Sequence, residues 1–168
     1  MKNIYALIVT LLITAVIANA QDGGWITHKG DNRISVKFPS EPKETTPGGF
    51  TAMDKDSIAY IFTIVDFVQV ANIDSVALAP MKATPEFAAE LKSGLNKSLP
   101  DVQFPDFTIG TWKGFTSYTS TGIDSKKRRY DMFMFIIGNK LYSVSTVSAS
   151  NTSTTGRDNF VNSIMLSN

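Results

Sequence analysis

The sequence predicts an α+β domain, built as an antiparallel β-sheet with helices packed on its faces. Two runs, 57–70 and 129–137, carry apolar residues on both faces of an extended chain, so each strand must be covered on both sides. One strongly patterned helix, 84–99, lies between them. Strands and helices do not alternate one for one, which argues against a parallel Rossmann-type sheet and for the α+β class.

The first part of this domain predicts a β-hairpin. Residues 25–28 form a short strand, and the Gly-Asp-Asn sequence at 30–32 is typical of a turn. Every second residue of 33–38 is apolar, which is the pattern of a half-buried strand. Pro39 ends this strand, and residues 40–50 are rich in proline and glycine and are expected to form a loop.

The middle of the chain predicts a long strand, 57–70, followed by one helix. The helix begins at Thr84, whose hydroxyl is suited to accept a bond from a free backbone amide, and Pro85 suits the first helical position. It ends before Pro100. Its apolar face is marked by residues spaced four apart, namely Phe87, Leu91, Leu95 and Leu99.

The last third of the chain predicts four strands and a closing helix. Strands 107–112 and 115–119 turn about a glycine, and strands 129–137 and 141–147 are joined by a Gly-Asn pair that favours a tight hairpin. Residues 158–165 carry apolar side chains at helical spacing and predict one short helix.

Two sequence patterns resemble small exported bacterial proteins of unknown function. One is an alternating strand that ends in Phe-Pro, and the other is a tight turn followed by Leu-Tyr-x-Val and a closing helix. The first pattern is Val36-Lys37-Phe38-Pro39-Ser40-Glu41-Pro42. The second pattern combines Lys140-Leu141-Tyr142-Ser143-Val144 with Phe160-Val161-Asn162-Ser163 in the closing helix. This order of elements is similar to the PsbP-like α/β/α fold, which a photosystem II extrinsic subunit shares with a Ran-binding nuclear-transport factor. The resemblance implies this fold and a binding role without catalysis. It assigns a functional role to no residue of this sequence.

Residues 1–20 predict a cleavable export signal, and residues 21–168 predict a single domain. Lys2 gives a positive start, the run 4–17 is apolar and uncharged, and Ala-Asn-Ala at 18–20 supplies the small residues that a signal peptidase reads. The apolar run is shorter than the roughly 20 residues that a spanning helix needs, so no transmembrane segment is expected after cleavage. We expect the domain in the periplasm or the medium.

Charge and cysteine content exclude several classes of protein. The sequence has 16 Lys+Arg and 15 Asp+Glu, and loss of Lys2 with the signal leaves a formally neutral domain. Nucleic-acid binding requires a basic surplus, so no nucleic-acid partner is expected. Because the chain has no cysteine, its fold cannot depend on disulfides and a lipoprotein anchor is excluded.

No sequence motif predicts catalysis, a metal site or a cofactor. His28 is the only histidine, and without cysteine a zinc site would need carboxylates for nearly every other ligand. A Ser-His-Asp triad would have to use the same histidine, and no nucleophile-elbow motif accompanies it. His28 is therefore interpreted as a strand-end residue beside a turn, and the protein is expected not to be an enzyme.

The leading hypothesis is a non-enzymatic binding or accessory module of unknown ligand. The alternative is a carboxylate-based hydrolase of the envelope or medium, in which Asp66 acts with Asp124 or Asp131. A deep polar pocket with two acids within reach would favour the enzyme, whereas a shallow surface with an exposed aromatic patch would favour binding. The expected partner is an envelope protein or an anionic surface.

A basic run at Lys126, Lys127, Arg128 and Arg129 is the candidate contact for that partner. Four adjacent cations give a strong local field, which is screened beyond about 8 Å at physiological salt. The run equally suits a solvated strand end that protects the apolar stretch 132–137 from aggregation. If it continues the strand, alternate side chains face opposite ways and the cluster splits into two pairs.

Overall fold

A computed structural model describes residues 24–167, and the predicted export segment 1–20 lies outside the described residues. The strands are β1 (Ile26–Lys29), β2 (Ile34–Phe38), β3 (Lys43–Thr46), β4 (Gly49–Met53), β5 (Ala59–Asp66), β6 (Val102–Gln103), β7 (Thr108–Trp112), β8 (Phe115–Asp124), β9 (Arg128–Ile137), β10 (Lys140–Ala149) and β11 (Met165–Leu166). The helices are α1 (Phe67–Ala71), α2 (Ser75–Leu78), α3 (Pro85–Ser98) and α4 (Thr155–Asn162).

The strands of the described chain form two antiparallel sheets. The larger one has the order β3-β4-β5-β10-β9-β8-β6, and β7 pairs with the first half of β8. The smaller one has the order β1-β2-β11, so the end of the described chain pairs with a strand near its beginning. The strands β5, β10 and β9 lie in the middle of the large sheet, which explains why β5 and β9 carry apolar residues on both faces.

Helices α1, α2 and α3 cover one face of the large sheet. Thr84 caps α3 by accepting a bond from the amide of Phe87 at 3.2 Å, and the predicted helix is confirmed to within a residue at each end. The predicted apolar face packs against the sheet: Leu91 and Leu95 of α3 and its C-cap residue Leu99 are buried, and Phe87 is partly buried against them. They contact the side chains of β9 and β10 on this face, which include Met132, Met134, Ile136 and Leu141.

The opposite face is covered by the small sheet together with α4. Phe38 of β2 and Phe160 of α4 pack on Tyr60 and Phe62 of β5. A Cβ atom at Gly156 would overlap the Tyr60 hydroxyl, so glycine is what allows the first turn of α4 to approach β5 this closely. The expected α+β class, an antiparallel sheet with helices on both faces, is confirmed, with β-strands sharing the cover on this side.

Three predicted elements differ from the structure. Residues 40–50, expected as a loop, contain β3 and the start of β4, which turn at Gly48 with a φ of 74°. The strand predicted over 57–70 ends at Asp66, because its carboxylate accepts the Val68 amide at 2.9 Å and starts α1. The closing helix, predicted over 158–165, begins at Thr155 and ends at Asn162, since the next residues pair as β11 with β2.

Asp31 connects the small sheet to the large one. Its carboxylate accepts bonds from the Arg33 amide at 2.8 Å, Lys140 Nζ at 2.9 Å and Tyr142 Oη at 2.8 Å. Burial by itself raises the pKa of Asp31, but the hydrogen bonds from Arg33, Lys140 and Tyr142 outweigh it and hold the pKa below its ordinary value. The ionised carboxylate is thus the form that the fold stabilises.

We expect acid to weaken the fold partly through Asp31. Because its pKa is lower in the folded state, its contribution is fully present above the unfolded value of about 3.9 and is lost as pH falls through the folded value. In urea unfolding between pH 6 and pH 2, Asp31→Asn should lose less stability on acidification than wild type does. Asp56→Asn, at an exposed position, is the matched control. Identical acid dependence in wild type and Asp31→Asn would contradict the expectation.

Removing apolar atoms from α3 should also destabilise the domain. Leu91 and Leu95 are 4% and 5% exposed, so Leu91→Ala or Leu95→Ala should each cost about 2–5 kcal/mol through lost contacts and a residual cavity. Asn96→Ala, on the exposed side of the same helix, is the control. Chemical denaturation measures all three, and a cost below about 0.5 kcal/mol for both leucines would contradict this packing.

Candidate functional site

A cleft of about 310 Å³ lies between α4 and the strands β8, β9 and β10. It sits on the face of the large sheet that also carries the small sheet, where the side chains of α4 leave part of β8 and β9 uncovered. Its polar wall contains Thr119, Thr121, Asp131, Thr146, Arg157 and Asp158. Its apolar floor contains Phe133, Val144, Phe160 and Val161.

Asp131 is the buried charge of this cleft, with a side chain only 5% exposed. One carboxylate oxygen accepts a bond from Thr121 Oγ1 at 2.9 Å and lies 3.5 Å from a terminal nitrogen of Arg157. The other accepts a bond from Arg129 Nε at 2.8 Å. Three neighbours therefore satisfy this carboxylate and offset the cost of removing it from water.

Arg157 extends this ion network to the mouth of the cleft. Its Nε and second terminal nitrogen donate to one oxygen of Asp158 at 2.9 and 2.7 Å. The hydrogen bond from Arg157 is the main cause that lowers the pKa of Asp158, and Thr154 donates a further bond to this carboxylate. The network contains two guanidinium groups and two carboxylates, so its charges cancel.

The remaining polar groups of the cleft are neutral. Within residues 24–167, the hydroxyls of Thr119 and Thr146 and the side-chain amide of Asn162 make no hydrogen bond to the protein. Thr146 lies on β10 directly opposite Asp131 of β9 and is almost entirely buried, at 2% exposure. The fully buried side-chain atoms without a partner in residues 24–167 are His28 Nε2 and Thr46 Oγ1, so the Thr146 hydroxyl keeps some access to the cleft and is available to a ligand.

The structure separates the two arginines of the basic run from each other. Arg128 donates to Asp124 at 2.7 Å and lies over the ring of Tyr130, on the α3 face of the sheet. Arg129 donates to Asp131 on the opposite face. Lys126 and Lys127 remain exposed at the turn between β8 and β9. The run is therefore not a single cluster of four accessible cations.

The carboxylates named as a catalytic pair also lie apart. Asp66 pairs in register with Lys140, whereas Asp131 lies beside Thr146, which is six residues and about 20 Å further along β10. Asp124 accepts bonds from Arg128 and Tyr130 on the other face of the sheet. Neither proposed pair, Asp66 with Asp124 or Asp66 with Asp131, converges on one site. The carboxylate that does share a cleft with Asp131 is Asp158, which sequence reasoning missed.

His28 lies on β1 and packs between aromatic rings. Its ring centroid is 4.1 Å from that of Phe50 and 5.8 Å from that of Phe38. Burial lowers the pKa of His28, against the opposing effect of Glu41 and Glu44. Residues 24–167 contain no group of three or more His, Asp or Glu side chains placed to hold a metal ion. This histidine is consistent with a packed strand residue.

The cleft brings together residues that are far apart in the sequence. Thr121, Asp131, Thr146 and Arg157 come from three strands and a helix, and only the strand register makes them neighbours. A weak signal lies in strand 141–147, which carries hydroxyl residues at 143, 145 and 146 among the apolar residues at 141, 144 and 147. Polar residues within such buried strands are unusual unless they face a partner or a ligand.

The fold is similar to that of PsbP-like α+β proteins. The solution structure of cyanobacterial PsbP (CyanoP) from Synechocystis sp. PCC 6803 is similar with a TM-score of 0.53 and 15% identity, over 93% of this chain and 98% of that chain. A crystal structure from Bacteroides thetaiotaomicron has a TM-score of 0.51 and 11% identity, over 87% of this chain and 49% of that chain. This chain thus spans about half of the Bacteroides protein.

A third structure, LpqN from Mycobacterium tuberculosis, is described as involved in cell envelope biogenesis. It has a TM-score of 0.48 and 16% identity, over 89% of this chain and 95% of that chain. No protein-family model matches the sequence, and no curated protein matches it. The two matches with TM-scores above 0.5 show that the expected PsbP-like fold is correct, and at these identities they show the fold alone.

None of the helices in residues 24–167 is long and apolar enough to cross a membrane.

Proposed function

We propose that this chain is an exported, non-enzymatic binding or accessory module, and that the cleft beside α4 is its ligand site. The observation that carries the proposal is the combination of a neutral ion network with free hydroxyls around one cavity. Such a cavity has the features of a small-molecule site, namely an apolar floor and a few placed polar groups.

The ion network favours binding over acid–base chemistry. A hydrolase that uses two carboxylates needs one of them to stay protonated near neutral pH, which requires a raised pKa. The hydrogen bond from Arg157 instead lowers the pKa of Asp158. Asp131 is already bonded to Thr121 and Arg129, so its oxygens are committed to the fold.

The hydrolase alternative rests on one observation, which is that Asp131 and Asp158 share the cleft and both contact Arg157. Its test is a screen of wild type and Asp158→Asn against chromogenic glycosides and esters. We expect no turnover above buffer for either protein. Turnover by wild type that Asp158→Asn abolishes would overturn the non-enzymatic proposal.

The binding role is tested by NMR on residues 21–168. A library of uncharged, anionic and cationic small molecules is titrated into the protein, and we expect at least one class to cause saturable shifts in the cleft. Val161→Trp, which fills the cleft, should abolish these shifts. Val76→Trp, at a position that is 79% exposed on α2, should leave them unchanged. Absence of saturable shifts in wild type, or their persistence in Val161→Trp, would refute the proposal.

Export is supported by the pattern of residues 1–20. Cleavage after Ala20 should give a mature protein that begins at Gln21. Intact-mass measurement of protein from the extracytoplasmic fraction checks this. Recovery of a chain that retains Met1 in the membrane fraction would contradict it.

The contact with an anionic envelope surface is assigned to Lys126 and Lys127. Both are exposed at one turn, whereas Arg128 and Arg129 are held by carboxylates. Neutralising all four residues would therefore disturb the fold as well, so the informative variant is Lys126→Gln/Lys127→Gln. A smaller fraction of this variant than of wild type should sediment with phosphatidylglycerol vesicles at low salt. The control variant Lys29→Gln/Lys55→Gln should sediment like wild type. Equal sedimentation of the first variant and wild type would remove this assignment.

A further inference from the structure

We infer that the ligand of the cleft beside α4 is a small, uncharged, polyhydroxylated molecule, such as a single sugar ring. The inference rests on the proposed binding function and specifies the chemistry of that same site. Three features of the cleft support it: the internal neutralisation of its charges, the neutral character of its free polar groups, and its apolar floor.

A charged ligand would be poorly matched to the ion network. Asp131 and Asp158 repel an anion, and Arg129 and Arg157 repel a cation. Either kind of ligand would have to displace an existing partner to form a strong pair. Displacement at Asp131 would leave a buried charge without its partner, which is strongly unfavourable.

The free groups of the cleft match hydroxyls in particular. Each threonine hydroxyl donates one hydrogen bond and accepts up to two, and the Asn162 amide also does both. A sugar hydroxyl has the same dual capacity, so the two sides satisfy each other without any net charge. Thr146 is the most informative of these groups, because it is 2% exposed and its hydroxyl has no bond to any protein atom in residues 24–167.

The floor of the cleft suits the apolar face of such a ring. Phe133 is half-buried and lines the cleft beside Val144 and Val161. Trp112 packs against Phe133 in a T-shaped arrangement, at a centroid distance of 6.0 Å and an interplanar angle of 76°. The C–H groups of a sugar ring are apolar, and their contact with an aromatic ring removes both surfaces from water.

The size of the cleft limits the ligand to a compact molecule. Its volume of about 310 Å³ is at the lower end of the range of roughly 300–1,000 Å³ for small-molecule pockets. One sugar ring, or the terminal ring of a longer saccharide, is therefore a better match than an extended chain.

The test compares neutral and charged versions of the same ring by NMR titration of residues 21–168. The neutral probes are the methyl glycosides of glucose, galactose and mannose, and the charged probes are glucuronate and glucosamine. We expect at least one neutral glycoside to give saturable shifts in the cleft and each charged analogue to bind at least about tenfold more weakly. Cyclohexanol, which keeps the ring but only one hydroxyl, should also bind more weakly.

Thr146→Val removes the free hydroxyl and should weaken binding about tenfold, the effect of one hydrogen bond left unmade. Thr63→Val makes the same change on β5, on the opposite face of the sheet, and should leave binding unchanged. Thermal melting establishes that both variants are folded.

The outcomes separate this inference from the function on which it rests. Binding of charged or purely apolar probes in the cleft, without binding of any neutral glycoside, would overturn the ligand class and leave a binding site in place. Absence of cleft shifts with every probe, including the broader library, would overturn both. Equal affinity of Thr146→Val and wild type for a neutral glycoside would contradict the assigned role of that hydroxyl.

Discussion

Phe160→Ala is expected to destabilise the domain by about 3–5 kcal/mol, the usual cost of deleting a fully buried aromatic ring. Phe160 is 0% exposed and is the main anchor of α4. Its ring centroid lies 5.1 Å from that of Phe38, 5.3 Å from that of Tyr60 and 6.3 Å from that of Trp25. Its loss would therefore weaken contacts among α4, the small sheet and the large sheet at once.

Chemical denaturation of Phe160→Ala against Val161→Ala measures this effect. Val161 is the next residue on the same helix and is only partly buried, so its truncation should cost clearly less. Because Phe160 also lines the cleft, its truncation should weaken ligand binding even in conditions where the domain remains folded. Equal costs for the two variants would show that α4 is not anchored through this ring.

Asp131→Ala is expected to have an effect of similar size, about 3–5 kcal/mol, because it leaves a buried charge without its partner. The Asp131 side chain is 5% exposed and that of Arg129 is 17% exposed, so solvent cannot readily replace the lost carboxylate. Arg157 is 37% exposed and can turn outward, which makes Arg129 the main source of the cost.

A double variant distinguishes this cause from simple loss of packing. Asp131→Leu/Arg129→Met removes both charges and keeps apolar volume, so it should recover much of the stability lost in Asp131→Leu. Asp106→Ala breaks the Lys92 pair at a position that is 94% exposed and should change little. Denaturation curves measure all of these proteins, and failure of the double variant to recover stability would argue against a penalty from the unpaired arginine.

The sequence predicted the features that depend on local pattern. Strand 129–137 and helix 84–99 were correct because a short run that is apolar on both faces is typical of a strand buried on both sides, and apolar residues spaced four apart are typical of a helix with one buried face. The β3–β4 hairpin was missed because its Pro-Gly-Gly sequence indicates only that the chain turns, and two short strands flank that turn. Proline and glycine mark the turn without giving the length of the strands beside it.

The end of strand β5 shows a second limit. Ile64, Val65, Asp66, Phe67 and Val68 continue a pattern that suits an extended chain, yet the helix begins in the middle of it. The change depends on the Asp66 carboxylate, which accepts bonds from both the Val68 amide and the Asn139 side chain. The second of these contacts comes from a residue far along the chain, so periodicity alone could not reveal it.

The candidate site was the least predictable part, because it depends on strand register. Sequence reasoning named Asp131 but gave it the wrong partners, since nothing local places Arg157 or Thr146 beside it. Alternation predicted that, if the basic run continued the strand, successive side chains would point to opposite faces, and Arg128 and Arg129, which lie in β9, do so. Local pattern thus gave the direction of each side chain but not what it meets across the sheet.

The pairing of β11 with β2 has a consequence for how the protein is made. Because the chain is synthesised from its N-terminus, β2 is made early. The edge of β2 that pairs with β11 remains unpaired until Met165 and Leu166 have been synthesised. During this interval the exposed edge of an apolar strand invites pairing with other chains. The pairing of residues 165–166 therefore protects this edge, and truncating the chain before residue 165 should favour aggregation over folding, which light scattering during refolding would detect.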